Sequence, residues 1–352
     1  MANGNFGGGT GTSADPYLVE DAKDLRNANG WKYYKQIADI DLSEYDTGEG
    51  FTPVTIDNNN GASSGTWEYD GNGFKILNLY QNRPSTHETG IFRIRPVRRH
   101  YSNFVRNFNV KNVSLINANI TGKAAALFIS GTAYYEPNSG GNGAANYINV
   151  QNCFASGQVT SIFNNNMSDQ HYNTGLIGTI DTNAASSNTG GSHVLTMNNT
   201  TCVIDLHITL SDTQNKTYNI GLMAHKYSML KGPLNPYIRI SNCSIHGEIT
   251  VDNQTENSIV NVYGIAPETT GVDINNTYVN CEFNNLNNSE LVNFDYFTKI
   301  DGYSSNLIAN HEKGNLTKYD YDNLHYLTDE QMKDLTYYKN LGWTIYELYK
   351  VN

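Results

Sequence analysis

The chain has 352 residues, with 23 Lys and Arg against 34 Asp and Glu and a formal net charge of -11. That length exceeds one compact layered domain and suits an elongated one, and the acidic balance argues against nucleic acid, whose phosphates call for a basic surface. Charged residues are only 16% of a chain rich in Gly, Asn, Thr, Ser and Tyr, which excludes the highly charged composition of disordered chains and favours strands and turns.

In chain order, FGGGTGTSADPYLVEDAKDL leads from a Gly- and Thr-rich loop through Asp15-Pro16 into a first strand and helix. The loop resembles a phosphate cradle in its glycines alone. It has no Lys, and no strand precedes it, so it reads as an opening loop and not a nucleotide site. Asp21 is placed to cap a short helix running through Leu25, with Asp24 three residues on. The leading MANGN carries no basic patch followed by an apolar core, and no run of 18 apolar residues occurs anywhere. Neither a secretory signal nor a membrane span is therefore expected.

Asp39, Asp41, Glu44 and Asp46 follow. Asp39 and Asp41 would share one face of a strand, but the spacing is not that of a calcium loop, so a polar strand face is expected. Asp70-Gly71-Asn72-Gly73 then reads as a turn. Between residues 83 and 106 lie six of the eight arginines, Arg83, Arg93, Arg95, Arg98, Arg99 and Arg106, opposed only by Glu88. This local basic patch is the candidate interface or ligand site, since guanidinium forks suit carboxylates, subunit contacts and anionic glycans.

From residue 108 the chain repeats. FNVKNVSLINANIT at 108, INVQNCFASGQVT at 148, MNNTTCVIDLHIT at 197, IRISNCSIHGEIT at 238 and NNTYVNCEFNNLN at 275 align as alternating strands with a polar residue, usually Asn, around the Cys position. Cys153, Cys202, Cys243 and Cys281 are 49, 41 and 38 residues apart. Between them run short apolar segments: TGIFRI, AALFIS, TGLIGTI, IGLMAHK and YGIAPE. A period near 40 residues means stacked units burying their apolar faces on one another. The period-2 patterning with Gly and Asn breaks excludes helical repeats, and two strong strands per unit argue against a propeller blade. The expected fold is all-β: a β-solenoid with short capping helices at both ends. The four cysteines are expected to stack as one buried ladder of free thiols.

The carboxyl end supplies the second cap. Thr328-Asp329-Glu330-Gln331 reads as a capping box opening a helix to Tyr338, Gly342 stops it, and WTIYELY reads as a last strand. The expected divisions are a lead-in and cap at 1–66, repeats at 67–290 and a closing segment at 291–352. His171, His193, His207, His225 and His246 sit at irregular offsets, with no metal spacing. No nucleophile elbow or carboxylate pair for sugar hydrolysis stands out either. No catalytic residue, cofactor or metal is therefore expected.

Gly175-Leu176-Ile177-Gly178 resembles the core of the GLUG repeat of bacterial surface proteins and phage structural proteins. GGGTGTSADPYLVEDAKDL, YKQIADIDLSEY followed by FTPV, WEYDGNGFKILNL and LTDEQMKDLTYYKNLGWTIYEL resemble the other segments of that family, so the likeness touches nearly the whole chain. It drifts at 221 and 264, which read GLMA and GIAP. The resemblance implies a right-handed parallel β-helix and no particular activity. The function expected is that of a non-catalytic bacteriophage virion protein, a tail or head fibre, spike or decoration subunit contributing to host-surface or glycan attachment. By analogy with phage β-helices, it would be a homotrimer contacting other virion proteins, assembled in host cytoplasm. A bacterial surface adhesin and a polysaccharide-degrading β-helix enzyme are the competing readings.

Overall fold

A computed structural model describes residues 5–57, 64–86, 89–95, 105–123, 125–133, 145–164, 171–182, 192–211, 215–223, 237–265, 272–295, 304–310 and 324–327. Among these the molecule is nearly all β. The one α-helix is Ala22–Asn27, and a single 3-10 turn spans Ser43–Tyr45. The carboxyl-terminal helix and last strand expected from sequence lie outside the described residues.

Every pairing between the strands is parallel. One file of strands runs Tyr17–Val19, Tyr33–Gln36, Gly65–Asp70, Val105–Lys111, Ala145–Gln151, Ser192–Asn198, Tyr237–Ser241 and the start of Val272–Asn285. A second file runs through Lys75–Leu77, Ser114–Gly122, Phe154–Phe163, Thr201–Leu210, Ser244–Asn253 and the end of Val272–Asn285. Two four-stranded sheets complete the set, one with Val54–Asp57, Phe92–Arg95, Ala126–Ala133 and Gly175–Thr182, the other with His171–Asn173, Thr217–Gly221, Ile259–Tyr263 and Val292–Asp295. Each unit of the repeat thus adds one strand to each of the two long files and one or more to the small sheets.

The first and second files meet at a corner, and the corner explains why four of the five aligned segments are two strands and not one, the fifth passing its corner within Val272–Asn285. INVQNCFASGQVT breaks at Asn152, whose φ is 53. Asn112, Asn199, Asn242 and Asn276 take the same left-handed conformation, with φ of 54, 51, 54 and 46. Asparagine tolerates this region better than any other residue with a side chain, because its amide can bond locally. One such residue turns the chain without a loop.

The alternation on either side of the corner fills the core. Trp67, Phe108, Ile148, Leu195 and Ile238 are neighbours in register in the first file, and all are buried. In the second, Ile120, Val159, Leu206, Ile249 and Phe283 do the same. Burying each such side chain contributes about 1.5–3 kcal/mol. The small sheet that holds the GLIG segment behaves differently. Ile91, Phe92 and Ile94, then Ala125 to Ile129 without a break, then Leu176 and Ile177 are all buried. A sheet buried on both faces needs continuous apolar runs, which is why these segments do not alternate.

At the amino end the stack is closed by the opening loop. Gly7 donates its N–H to Leu18 and Leu18 donates its own to Gly8, at 2.8 and 3.0 Å, which covers the edge of the first strand. Phe6 stacks on Tyr17 with centroids 4.6 Å apart. Asp21 caps the helix through the N–H groups of Lys23 and Asp24, as its position suggested. Asp24, fully buried, accepts the N–H groups of Phe6 and Glu20 and so ties the loop to the helix. Because the parallel pairing starts at Tyr17, the division expected between residues 66 and 67 falls inside the strand Gly65–Asp70 and marks no break in pairing.

In the second file the layer at Gly247 requires glycine, although Ile204 and Cys281 hold the same register position on either side. Gly247 has φ +125, and a Cβ there would sit 1.9 Å from the carbonyl oxygen of Ile204 in the layer below. Both the conformation and the contact forbid a side chain. Gly247→Ala should lower unfolding stability by about 2–3 kcal/mol, measured by urea denaturation. An unchanged midpoint would contradict this packing.

Candidate functional site

The arginine segment is the site that sequence singles out, and the fold takes it apart. Arg83 lies in Tyr80–Arg83 and Arg106 in Val105–Lys111, both in the large sheet, whereas Arg93 and Arg95 lie in Phe92–Arg95 of a small one. Arg98 and Arg99 are outside the described residues, and of Arg95 only the backbone is described. The other three do not form a displayed basic surface. Arg106 is 1% exposed and Arg93 8%. The Arg106 guanidinium lies over the Trp31 ring, 5.6 Å from its centroid, and Trp31 in turn packs on Phe108 at 5.0 Å. Burial pulls the Arg106 pKa below its usual value. Arg83 is spent on Glu49, 3.3 Å away, and on the Thr52 hydroxyl, also 3.3 Å away. A cluster in sequence became a dispersed set because strands alternate and successive segments enter different sheets.

The expected cysteine ladder is also corrected. All four thiols are free and buried, but they do not share a file. Thr201 donates its N–H to the Cys153 carbonyl, Ser244 donates to Thr200, and Tyr278 donates to Cys243. Cys153 and Cys243 thus occupy the position just after the corner, with Thr200 between them. Cys202 sits two positions further on, in register with Ala155, Ile245 and, one layer beyond Ile245, Val279. Cys281 is opposite Gly247, deeper in the strand. Aligning on cysteine mis-set the register; any small apolar side chain fills these inward positions equally well.

The element that does stay in register is the corner asparagine. Asn112 Nδ2 donates to Asp70 Oδ1 at 2.9 Å, Asn152 Nδ2 to Asn112 Oδ1 at 3.2 Å, and Asn199 Nδ2 to Asn152 Oδ1 at 2.9 Å. Asn242 donates to Asn198 and Asn276 to Asn242, each at 3.0 Å. Two shorter ladders flank it. Asn117 donates to Asn78 at 2.7 Å and Asn78 to Asp41 at 2.9 Å; Asn149 donates to Asn109 at 2.8 Å and Asn109 to Glu68 at 3.1 Å. The residue is visible in the alignment as the polar position beside each Cys. Its ladder is not, because stacking the amides depends on parallel pairing in register between segments some 40 residues apart.

The remaining polar candidates also serve the stack. Asp39 accepts the Lys75 N–H at 2.8 Å, and Asp41 accepts Ser43 N–H at 3.0 Å as well as Asn78. The Asn78 and Ser43 hydrogen bonds hold the Asp41 carboxyl below the usual carboxylate range. Lys111 bridges Glu68 and Asp70 at 2.8 and 3.5 Å, and although burial opposes its charge, these two partners raise its pKa. His246 Nε2 lies 2.7 Å from the Tyr278 hydroxyl and 3.3 Å from Ser244 Oγ, linking adjacent layers. Ser244 is only 3% exposed, so this pair holds strands together and does not offer a nucleophile. Among the described residues no group of three or more His, Cys, Asp or Glu is placed to hold a metal ion. Of His171 and His193 only the backbone is described, and His225 lies outside the described residues.

No family model matches the chain. A protein of Evansella cellulosilytica that carries the provisional description Gly-rich membrane protein is 28% identical over 130 residues, 35% of this chain. The chain covers only 14% of that protein's length. Among solved structures, a provisionally described immunoglobulin A1 protease from Bacteroides ovatus superposes with a TM-score of 0.50 over 94% of this chain and 91% of its own, at 15% identity. At that identity the likeness is one of fold, and it carries no chemistry across. No helix among the described residues is long and apolar enough to cross a membrane.

The buried thiols give the stack a pH signature. Burial pushes the Cys153 and Cys243 pKa values up to about 12, and that of Cys202 further, from an ordinary 9.0. Burial likewise raises Tyr34 from 10.0 to about 12. A folded state that keeps protons the unfolded chain releases is favoured fully below pH 9 and progressively less as pH rises toward 12. The urea midpoint should therefore fall steadily between pH 9 and 11. In native buffer near pH 8 the four thiols should resist a disulfide reagent until urea is added. Stoichiometric labelling of the folded chain would contradict their placement.

Proposed function

We propose that the chain is a non-catalytic structural subunit of a bacteriophage particle, a right-handed parallel β-helix in a fibre, spike or head decoration that helps the particle attach to its host. The observation that carries this reading is the use to which the polar side chains are put. Asparagine amides and the carboxylates Asp39, Asp41, Glu68 and Asp70 bond from layer to layer, which builds a stiff repetitive shaft. Four free, buried thiols suit a chain that folds in a reducing compartment, as a virion component assembling in host cytoplasm does. The resemblance to GLUG repeats, some of them in phage structural proteins, points the same way.

As a shaft, the chain would present flat outward rows to a partner. One row holds Thr66, Asn107, Tyr147 and Val194; another holds Asn119, Gln158, Asp205, Glu248 and Glu282. Hydroxyls, amides and a tyrosine face suit sugars and neighbouring subunits alike, and the expected assembly is a homotrimer. A second reading, a bacterial surface adhesin on the same fold, is favoured by the membrane-protein description of the Evansella relative.

The two are separated by fractionating a lysed source culture. Peptides of this chain should co-purify with capsid and tail proteins in gradient-purified particles at fixed stoichiometry. Recovery in the cell-envelope fraction, with none in particles, would replace the first reading by the second. Release of reducing ends or unsaturated sugars from host capsule by the purified chain would replace both by an enzyme.

A further inference from the structure

The ladders share a direction. Asn109, Asn112, Asn117, Asn149, Asn152, Asn199, Asn242, Asn276 and Asn293 all donate Nδ2 toward the amino-terminal neighbour. The corner ladder runs unbroken from Asp70 through Asn112 and Asn152 to Asn199 and restarts at Asn198 under Asn242, while the ladder Asn219, Asn261, Asn293 keeps the same sense on an amide. An Asn amide pair has no intrinsic preference for this sense, since each side chain carries both a donor and an acceptor and can rotate to exchange them. Three ladders, however, end at the amino side on a carboxylate: Asp70 under Asn112, Asp41 under Asn78, and Glu68 under Asn109. An ionised carboxylate only accepts. It compels the amide above to donate downward, which leaves that amide's oxygen facing the next layer and compels the next in turn.

We propose that Asp70, Asp41 and Glu68 set the direction of the amide ladders, so that the orientation of an asparagine two layers away depends on a carboxylate it does not touch. Each such ladder is then a one-way chain of aligned dipoles whose positive, N–H end faces the carboxylate at the amino side, and neighbouring links strengthen one another. These residues are positioning residues for the stack: they couple layers beyond nearest contact and favour one register of the repeat over its near-equivalents. The inference goes beyond the virion reading and holds for any role the shaft has.

The test exchanges the two ends of a ladder. In Asn152→Asp the new carboxylate meets Asn112 Oδ1, which cannot turn away because Asp70 holds Asn112 by its Nδ2. The variant should unfold at markedly lower urea. In Asp70→Asn combined with Asn152→Asp, Asn112 is free to rotate, donate upward and accept from residue 70, so the midpoint should recover most of the loss. The net charge of the double variant equals that of the native chain. Glu68→Gln combined with Asn152→Asp removes the same charge beside Asp70 without freeing Asn112, and should not recover. If the exchange fails to rescue, or if Glu68→Gln rescues equally, the proposal is overturned. The exposed ladder gives an independent case should Asn152→Asp not fold: Asp41→Asn should rescue Asn117→Asp through rotation of Asn78, and additive losses there would overturn the proposal in the same way.

Discussion

The structure depends on a single backbone constraint, repeated in layer after layer: one residue must turn the chain sharply in the left-handed region between two strands that both belong to the core. Asn112, Asn152, Asn199, Asn242 and Asn276 meet it. Glycine could adopt the conformation but would leave no side chain to bond the next layer, and it would cost more conformational entropy on folding. A β-branched residue could not adopt it at all without strain. Asparagine satisfies the turn and supplies the bond along the stack, so the corner fixes the geometry within a layer and the register between layers together. Register matters because a slip of one residue would turn Phe108, Ile148 and their equivalents out to solvent.

Much of this is legible in the sequence. Period-2 alternation announced strands, a near-constant spacing announced stacking, and Asp21 announced the one described helix. Other features were not legible for identifiable physical reasons. The cysteines drew the alignment because they are rare, yet an inward thiol is interchangeable with Thr200 or Val113 at the corner position and with Ala155 or Ile245 further along. Asparagine, common throughout the chain, hid the residue whose backbone conformation is actually specified. The arginines are close in sequence and so suggest a patch, but parallel stacking sends consecutive segments to different sheets. Their guanidinium groups ended in packing against Trp31 and in a bond to Glu49.

The same logic explains why the chain can be so polar and yet so ordered. In a stack of parallel strands, side chains that would compete with the backbone in a compact domain are placed directly over their own kind. Their hydrogen bonds repeat at the strand spacing. Asparagine then adds to the apolar core instead of opposing it, and the like charges that do meet in register, Asp205, Glu248 and Glu282, lie on the exposed face where water screens them. Where charge does occur at the amino end, it is placed as an acceptor below an amide or neutralised by Lys111.

The central claim is that successive repeat units lie in register, one strand spacing apart. Asn119, Gln158, Asp205, Glu248 and Glu282 are exposed residues at one position of consecutive layers. Spin labels at 119 and 282 are therefore separated by four strand spacings, about 19 Å between backbone positions. Pulsed electron resonance on the chain labelled at these two sites, with the buried native thiols left unreacted, should return a single narrow distribution centred near that distance. A broad distribution, or one centred beyond about twice it, would mean that the layers do not stack as described.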